Sequence, residues 1–265
     1  MASSFVRPQP FGAAVEAAIQ KHAVEMHPQE ACGVVTAQGY VRCANVADDP
    51  LKNFAISEEE LALHRPIFAI VHSHPGGSLT PSELDQQRQI DGDLIWGICA
   101  VHHDPVDGLT PLPVLWWGDG VWQDHDLPPL IARPFRWGPT GTDGAGDCFS
   151  LARDYYQLHH GFLMDEVARA SGFWRRGADP YGTRWKSAGF EKIELTDMQP
   201  GDAVFLCIRA DVPNHAAIFL GEGGLILHHL ENHLSYREPL ARWTNSVRLA
   251  LRPPRPRLEG APAIA

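Results

Sequence analysis

No run of apolar residues in the chain approaches the length needed to cross a bilayer, which argues against a membrane-spanning helix. Positive charge is also short: 22 Lys and Arg stand against 32 Asp and Glu, a formal charge of -10. Nucleic-acid phosphates would repel such a surface, and an anionic membrane would not attract it. Cysteine is scarce. The five present are widely spaced and odd in number, which does not suit a disulfide framework and points to folding in a reducing cytoplasm. Residues 1–10 hold one arginine, two prolines and no hydrophobic stretch, so no secretory signal is expected. What is present is globular material: 265 residues, 44% apolar, enough for one large domain or two of ordinary size.

The most informative stretch runs from Val71 to Asp85 and reads V-H-S-H-P-G-G-S-L-T-P-S-E-L-D. His72 and His74 close an apolar run, from Ile67, that reads as a buried strand, so both imidazoles leave one face of it. Downstream, Thr80-Pro81-Ser82-Glu83 predicts a helix start, with Thr80 as N-cap, Pro81 at the first helical position and Glu83 closing a capping box. Ser82 and Asp85 then share a helix face. Two imidazole nitrogens and one carboxylate oxygen leave a fourth tetrahedral position for water, which is how catalytic zinc is held. An H-x-H pair alone more often marks a strand end than a metal site. Here Pro75 and the S-x-x-D accompany it, and the pattern resembles the JAMM (MPN) metallopeptidase motif. The resemblance implies zinc held by His72, His74 and Asp85. It also implies that Glu30, in P-Q-E-A-C-G from Pro28, handles the proton of the bound water and that Ser82 stabilises the oxyanion. The roles are chemically coherent, because zinc brings its water towards neutrality and an adjacent carboxylate can pass the proton to a leaving amine.

Around this stretch, Phe11, Val15, Ala18, Ile19, Ala23 and Met26 fall on one helical face, and Pro28 ends the helix. Residues 31–37 and 40–44 predict a hairpin around Gln38-Gly39, and Ser57 with Glu60 opens a short helix through Leu63. A helix to about Asp91, a buried strand over 94–101 and a strand over 111–117 follow. This order predicts an α/β domain with a mixed sheet, as the resemblance also implies. His102 and His103 read as surface residues rather than further ligands.

Between Asp124 and Pro139 the pattern dissolves into Pro128, Pro129, Pro134 and Pro139, which predicts a semi-rigid linker. Beyond it, Gly141 to Asp147 form a flexible loop feeding a helix over 148–160. Cys148 then sits at the positive end of the helix dipole, which stabilises a thiolate. A nucleophile needs a base. A turn at Gln199-Pro200-Gly201-Asp202 leads into a strand over 203–208, the next strand opens with Asn214-His215, and a third ends at His228-His229. One of that pair can orient the ring of His215. A cysteine by itself is more often a small buried hydrophobe, the default for Cys32, Cys43, Cys99 and Cys207. D-C at a helix start, P-G-D before a strand and H-x-x-I-x-L-G on the next resemble the NlpC/P60 family of papain-like cell-wall peptidases. That resemblance implies an α+β papain-like domain with Cys148 as nucleophile, His215 as general base and His228 as orienting residue, His229 being the alternative. The family usually has Ser-Gly after the cysteine, where this chain has Phe149-Ser150.

The expected organisation is therefore a JAMM/MPN-like domain over 1–123, a Pro-rich linker over 124–140, an NlpC/P60 domain over 141–252 and a Pro-rich tail over 253–265. The combination is similar to a family of tail assembly proteins of lambda-like phages. It implies assembly in the host cytoplasm and then a place at the virion tail tip. Zn2+ is the implied cofactor, and peptidoglycan stem peptides and other tail-tip proteins are the implied partners, with no nucleic acid and no membrane insertion. Two other readings stand beside it. One is a structural tail-tip component with vestigial sites, in which Trp116, Trp117, Trp122 and Trp137 serve as interface anchors or as packing between domains. The other is a cytosolic isopeptidase, which leaves the cysteine domain without a task.

Overall fold

In the first helix, α1 (Ala13–Met26), the 3.6-residue spacing turns Ile19, His22 and Ala23 inward, and these are its buried residues. The structure, a computed structural model, describes residues 9–92, 94–123 and 126–254. Strands β1 (Cys32–Thr36) and β2 (Gly39–Cys43) form the expected hairpin, and Gly39, at φ 106°, supplies the backbone conformation its turn needs. Ser57 caps α2 (Glu58–Leu63) by accepting the Glu60 N–H at 3.2 Å. The Glu60 carboxylate does not close the box; it accepts the Ala44 N–H at 3.2 Å and so ties α2 to the end of β2.

Next come β3 (Ala69–His74), α3 (Glu83–Gly92) and β4 (Ile95–Asp104), a crossover whose two strands run parallel. The strand expected over 111–117 is in fact two, β5 (Gly108–Pro111) and β6 (Leu115–Trp117), both antiparallel to β4. Pro113 lies in the gap and has no N–H to give to a ladder. The sheet order is β2-β1-β3-β4-β5 with β6 on β4, a mixed sheet as predicted. Trp116 and Trp117 are fully buried here. Trp116 stands across from Gly97 and 4.8 Å from the Phe11 ring, and Trp117 packs on Trp96, so neither is a docking anchor.

The second half contains α4 (Cys148–His160), α5 (Pro180–Arg184), β7 (Glu191–Ile193), β8 (Ala203–Leu206), β9 (His215–Phe219), β10 (Leu225–His228), β11 (Tyr236–Pro239) and β12 (Val247–Arg252). Its six strands are antiparallel throughout, in the order β11-β10-β9-β8-β12-β7. The buried face of α4, with Phe149, Ala152 and Tyr156, shares one apolar cluster with Phe205, Ile218, Leu227 and Leu251 of the sheet.

The chain forms two compact units, one holding β1–β6 and the other β7–β12. Of the linker expected over 124–140, residues 126–140 belong by their contacts to the second unit. Arg133, 3% exposed, pairs with the Asp154 carboxylate, and its backbone N–H donates to Ser235 Oγ at 2.9 Å. Arg136 donates to the carbonyls of Pro139 and Ala145. Buried guanidinium groups must find acceptors, and those acceptors fix the stretch in place whatever its proline content. Trp137 packs in the same unit, against Phe135, Phe173 and Trp174. Gly141–Asp143 count with the first unit, where Thr142 Oγ1 accepts the Trp116 N–H at 3.0 Å. Most of the expected C-terminal tail, 255–265, lies outside the described residues, as do 1–8. Among the described residues no helix is long and apolar enough to cross a membrane.

Candidate active sites

His72 and His74 leave the same face at the carboxyl end of β3. His72 is 2% exposed, with its ring stacked on Phe54 at 4.5 Å and edge-on to Trp96. His74 Nδ1 lies 2.8 Å from the Ser78 carbonyl, so that nitrogen carries the proton and Nε2 keeps its lone pair. The helix that follows starts two residues later than expected, and Thr80 is not its cap. Ser82 Oγ accepts the Asp85 N–H at 3.1 Å while Asp85 Oδ2 accepts the Ser82 N–H at 2.8 Å. The S-x-x-D pair is thus itself the capping box, and it pins the Asp85 carboxylate at the first turn of α3.

His72, His74 and Asp85 offer ligand atoms that all lie within 4.8 Å of one another. The two Nε2 atoms are 3.0 Å apart, against about 3.3 Å for two imidazoles on one tetrahedral zinc, so a shift of a few tenths of an ångström would admit the ion. The donor set, two nitrogens and a carboxylate, suits zinc. Glu30, 6% exposed, is brought to the same end of the sheet by the β1–β3 register. Cys32 pairs with His72, the Ser73 N–H donates to the Ala31 carbonyl at 2.9 Å, and one more step sets Glu30 across from His74. Ser73 Oγ, unremarked in the sequence, accepts the Ala31 N–H at 2.8 Å and holds that register. A second possible group, Cys43, Glu60 and His64, lies at the β2–α2 contact, while His102 and His103 are exposed on β4.

In the second unit, Cys148 is the first residue of α4. Asp147 Oδ1 accepts the N–H groups of Phe149 and Ser150, and Ser150 Oγ accepts the Asp147 N–H at 2.8 Å. Ser150, where the family pattern departs, therefore completes the cap. Phe149 stacks on Tyr181 at 5.2 Å, and Tyr181 Oη lies 3.8 Å from Cys148 Sγ. Arg169, fully buried, holds both oxygens of Asp147 at 2.6 and 2.7 Å and also pairs with Glu166. His215 opens β9, and its Nε2 is 3.1 Å from Nδ1 of His228 at the end of β10. His229 turns elsewhere, its Nε2 meeting the His233 carbonyl at 3.1 Å. Behind His228, its Nε2 is 2.9 Å from Oε1 of Glu238 on β11, off the line of a well-formed hydrogen bond. Sequence reasoning missed Tyr181, Arg169 and Glu238. Only Glu238 had a local signal, an acidic residue alternating with Tyr236 on one strand face.

Burial, reinforced by the Asp147 carboxylate, pushes the Cys148 thiol up to about 12, against opposing help from the Ala216 N–H, Tyr181 and Arg169. Burial also drives His215 well below the usual imidazole range, and the neighbouring His228 and His229 add to it. In this conformation the pair is therefore thiol and neutral imidazole. An apolar cavity of about 160 Å³ adjoins the site, with Phe149, Tyr181, Trp185 and Phe205 in its wall.

The NlpC/P60 family model matches residues 132–252, and the model for prokaryotic homologs of the JAB domain matches 12–108. The tail tip assembly protein K of Escherichia phage N15 is 33% identical over 232 residues, 84% of this chain and 86% of that one. The chain belongs to the tail tip assembly protein K family. The tail tip assembly protein K of Escherichia phage lambda is 35% identical over 172 residues, 65% of this chain and 74% of that one. Among solved structures, the NlpC/p60 domain of the peptidoglycan hydrolase SagA is 22% identical and covers 46% of this chain and 89% of that one, at a TM-score of 0.34. A JAB-like and an NlpC/P60 domain thus occupy one tail tip assembly protein K chain, in the order the two motifs predict. The NlpC/P60 match begins at residue 132, inside the stretch first read as a linker and beside the buried Arg133.

Proposed function

We propose that this tail tip assembly protein carries two hydrolytic centres. The cysteine centre cuts amide bonds in peptidoglycan stem peptides, and the metal centre cuts a peptide or isopeptide bond. The observation that carries the reading is the 3.1 Å contact of His215 Nε2 with His228 Nδ1, beside a cysteine that opens a helix. With Nε2 facing His228, the other ring nitrogen of His215 is the one available to the thiol. His215 takes the Sγ proton as sulfur attacks the scissile carbonyl, and His228 steadies the imidazolium that forms. His215 then returns the proton to the departing amine, leaving a thioester on Cys148 that a water, deprotonated by the same ring, hydrolyses. Asp147 takes the Phe149 and Ser150 N–H groups, so of the first turn of α4 it is the Cys148 N–H that would serve the developing oxyanion. Because thiol and imidazole are both neutral at rest, proton transfer belongs to the attack itself rather than to a standing ion pair.

At the other centre, His72, His74 and Asp85 would hold zinc, which when bound acidifies water and polarises a carbonyl. Glu30 would carry the proton across to the amine, and the Ser82 hydroxyl, whose oxygen already caps α3, would turn its hydrogen to the oxyanion. The names of the relatives support assembly with other tail-tip proteins and a place at the virion tip, and we propose that this assembly takes place in the host cytoplasm.

The test is digestion of purified peptidoglycan by the whole protein and by Cys148→Ala, with products identified by mass. Stem-peptide cleavage that disappears in the variant supports the cysteine centre. A structural role is the second reading, favoured by the burial of Cys148 at 3% and His215 at 5% exposure. Intact peptidoglycan after exposure to the folded, zinc-loaded protein would decide for it.

A further inference from the structure

We propose that Glu238 is a positioning residue of the cysteine centre, fixing through His228 which nitrogen of His215 faces the thiol. The inference rests on the reading of Cys148 and His215 as nucleophile and base.

Glu238 is buried at 7% exposure, on an edge strand that otherwise faces solvent. Its carboxylate accepts from three donors, Tyr236 Oη at 3.0 Å, Trp243 Nε1 at 2.9 Å and Arg242 Nη1 at 3.0 Å, and its Oε1 lies 2.9 Å from His228 Nε2, a close contact off the line of a hydrogen bond. Burial alone would raise its pKa, but the hydrogen bonds from Trp243, Tyr236 and Arg242 outweigh burial and hold it below the usual carboxylate range. The group is an anion at neutral pH, and it faces a ring nitrogen.

Proton counting does the rest. A bare nitrogen lone pair cannot rest 2.9 Å from a carboxylate oxygen, so His228 carries its proton on Nε2. Burial lowers the affinity of His228 for a second proton more than Glu238 raises it, and the nearby His233 adds to the lowering, so the ring is neutral and Nδ1 is an acceptor. An acceptor 3.1 Å from His215 Nε2 requires that nitrogen to be protonated. Neutral His215 then has its lone pair on Nδ1, the tautomer that can accept the Cys148 proton. Without the carboxylate, His228 is free to exchange tautomers, and the other choice puts the lone pair of His215 against His228 instead of the thiol. Tyr236 and Trp243 matter as the clamps that keep the carboxylate in register, because both donate to Oε1, the oxygen that faces His228.

The experiment uses the full chain with 15N-labelled histidine. Nitrogen spectra of the unmodified protein at neutral pH are expected to show Nε2–H, with bare Nδ1, for both His215 and His228. In Glu238→Gln, which keeps size and loses charge, a population of the opposite tautomers should appear, and iodoacetamide should alkylate Cys148 roughly tenfold more slowly. The alkylation is followed in a Cys207→Ser background, since Cys207 is the one thiol of the five that is not buried. A role confined to folding predicts a changed urea midpoint with tautomers and alkylation pH profile unaltered. That result would overturn the inference, as would Nδ1–H on His215 in the unmodified protein, a measurement that needs no variant. A Cys148 whose alkylation ignores His215→Ala would sink the peptidase reading, and the tautomer spectra would then decide this one separately.

Discussion

The residue with most at stake in the second unit is Arg169. Its guanidinium is wholly enclosed and divides itself between Asp147, Glu166 and the Val167 carbonyl. Asp147 in turn caps the helix that presents Cys148, so the ion pair fixes both the cap and the nucleophile's position. Arg169→Met fills much of the volume but leaves Asp147 buried without its cation and Glu166 with only Arg153, 3.9 Å away. The expected loss is about 3–5 kcal/mol of unfolding free energy, set against a total of about 5–15 kcal/mol for a domain. Urea unfolding of the variant measures it, and Asp147→Asn in the same chain should restore part of the loss. A loss below about 1 kcal/mol would mean that water reaches the pair. This residue was silent in the sequence because a lone arginine looks the same whether it ends at the surface or between two carboxylates. The motif residues were legible for the opposite reason. His72, His74, Ser82 and Asp85 lie within one short stretch, and local geometry alone brings them together.

Among elements, those with unbroken apolar runs were legible: β3, β4, β8 and β9 lie where expected. The two outer strands of the second sheet were not. β7 is Glu-Lys-Ile and β11 is Tyr-Arg-Glu-Pro, short and charged as exposed edges tend to be, and their composition does not separate them from loops. Missing β11 meant missing Glu238. The adjoining β9–β10 pair makes a pH prediction. His215 and His228 are held below their usual range, and burial takes His229 down to about 4 from 6.5. These rings are neutral when folded, whereas the unfolded chain takes up protons below about 6.5, so stability is intact above that pH and is lost as pH falls towards 4. His229 alone accounts for about 3 kcal/mol at the acid end of that window. The urea midpoint should therefore fall between pH 7 and pH 5, before most carboxylates titrate, and His229→Gln should flatten the slope. An unchanged midpoint over that range would contradict buried neutral rings.

For the whole molecule, two sets of residues carry different chemistry, one with ligands for a metal and the other with a thiol and its histidines. A chelator acts on metal ligation, which Cys148 does not need, and an alkylator acts on sulfur, which His72, His74 and Asp85 do not contain. The expected outcome is a double dissociation. A zinc chelator abolishes hydrolysis by the first centre and leaves stem-peptide cleavage intact, while a thiol alkylator does the reverse. Zinc content gives the control, falling from one equivalent towards none in Asp85→Asn and staying unchanged in Cys148→Ala. The four other cysteines are controlled for by substitution: Cys207, the one that is not buried, is replaced by serine, and Cys148→Ala, which keeps the buried Cys32, Cys43 and Cys99, reports any effect of alkylation at those thiols. If one reagent silenced both activities, the two centres would not be separate catalysts. Loss of zinc would then have to be acting on the folding of the chain that carries Cys148, and the urea midpoint of the chelated protein would fall with its activity.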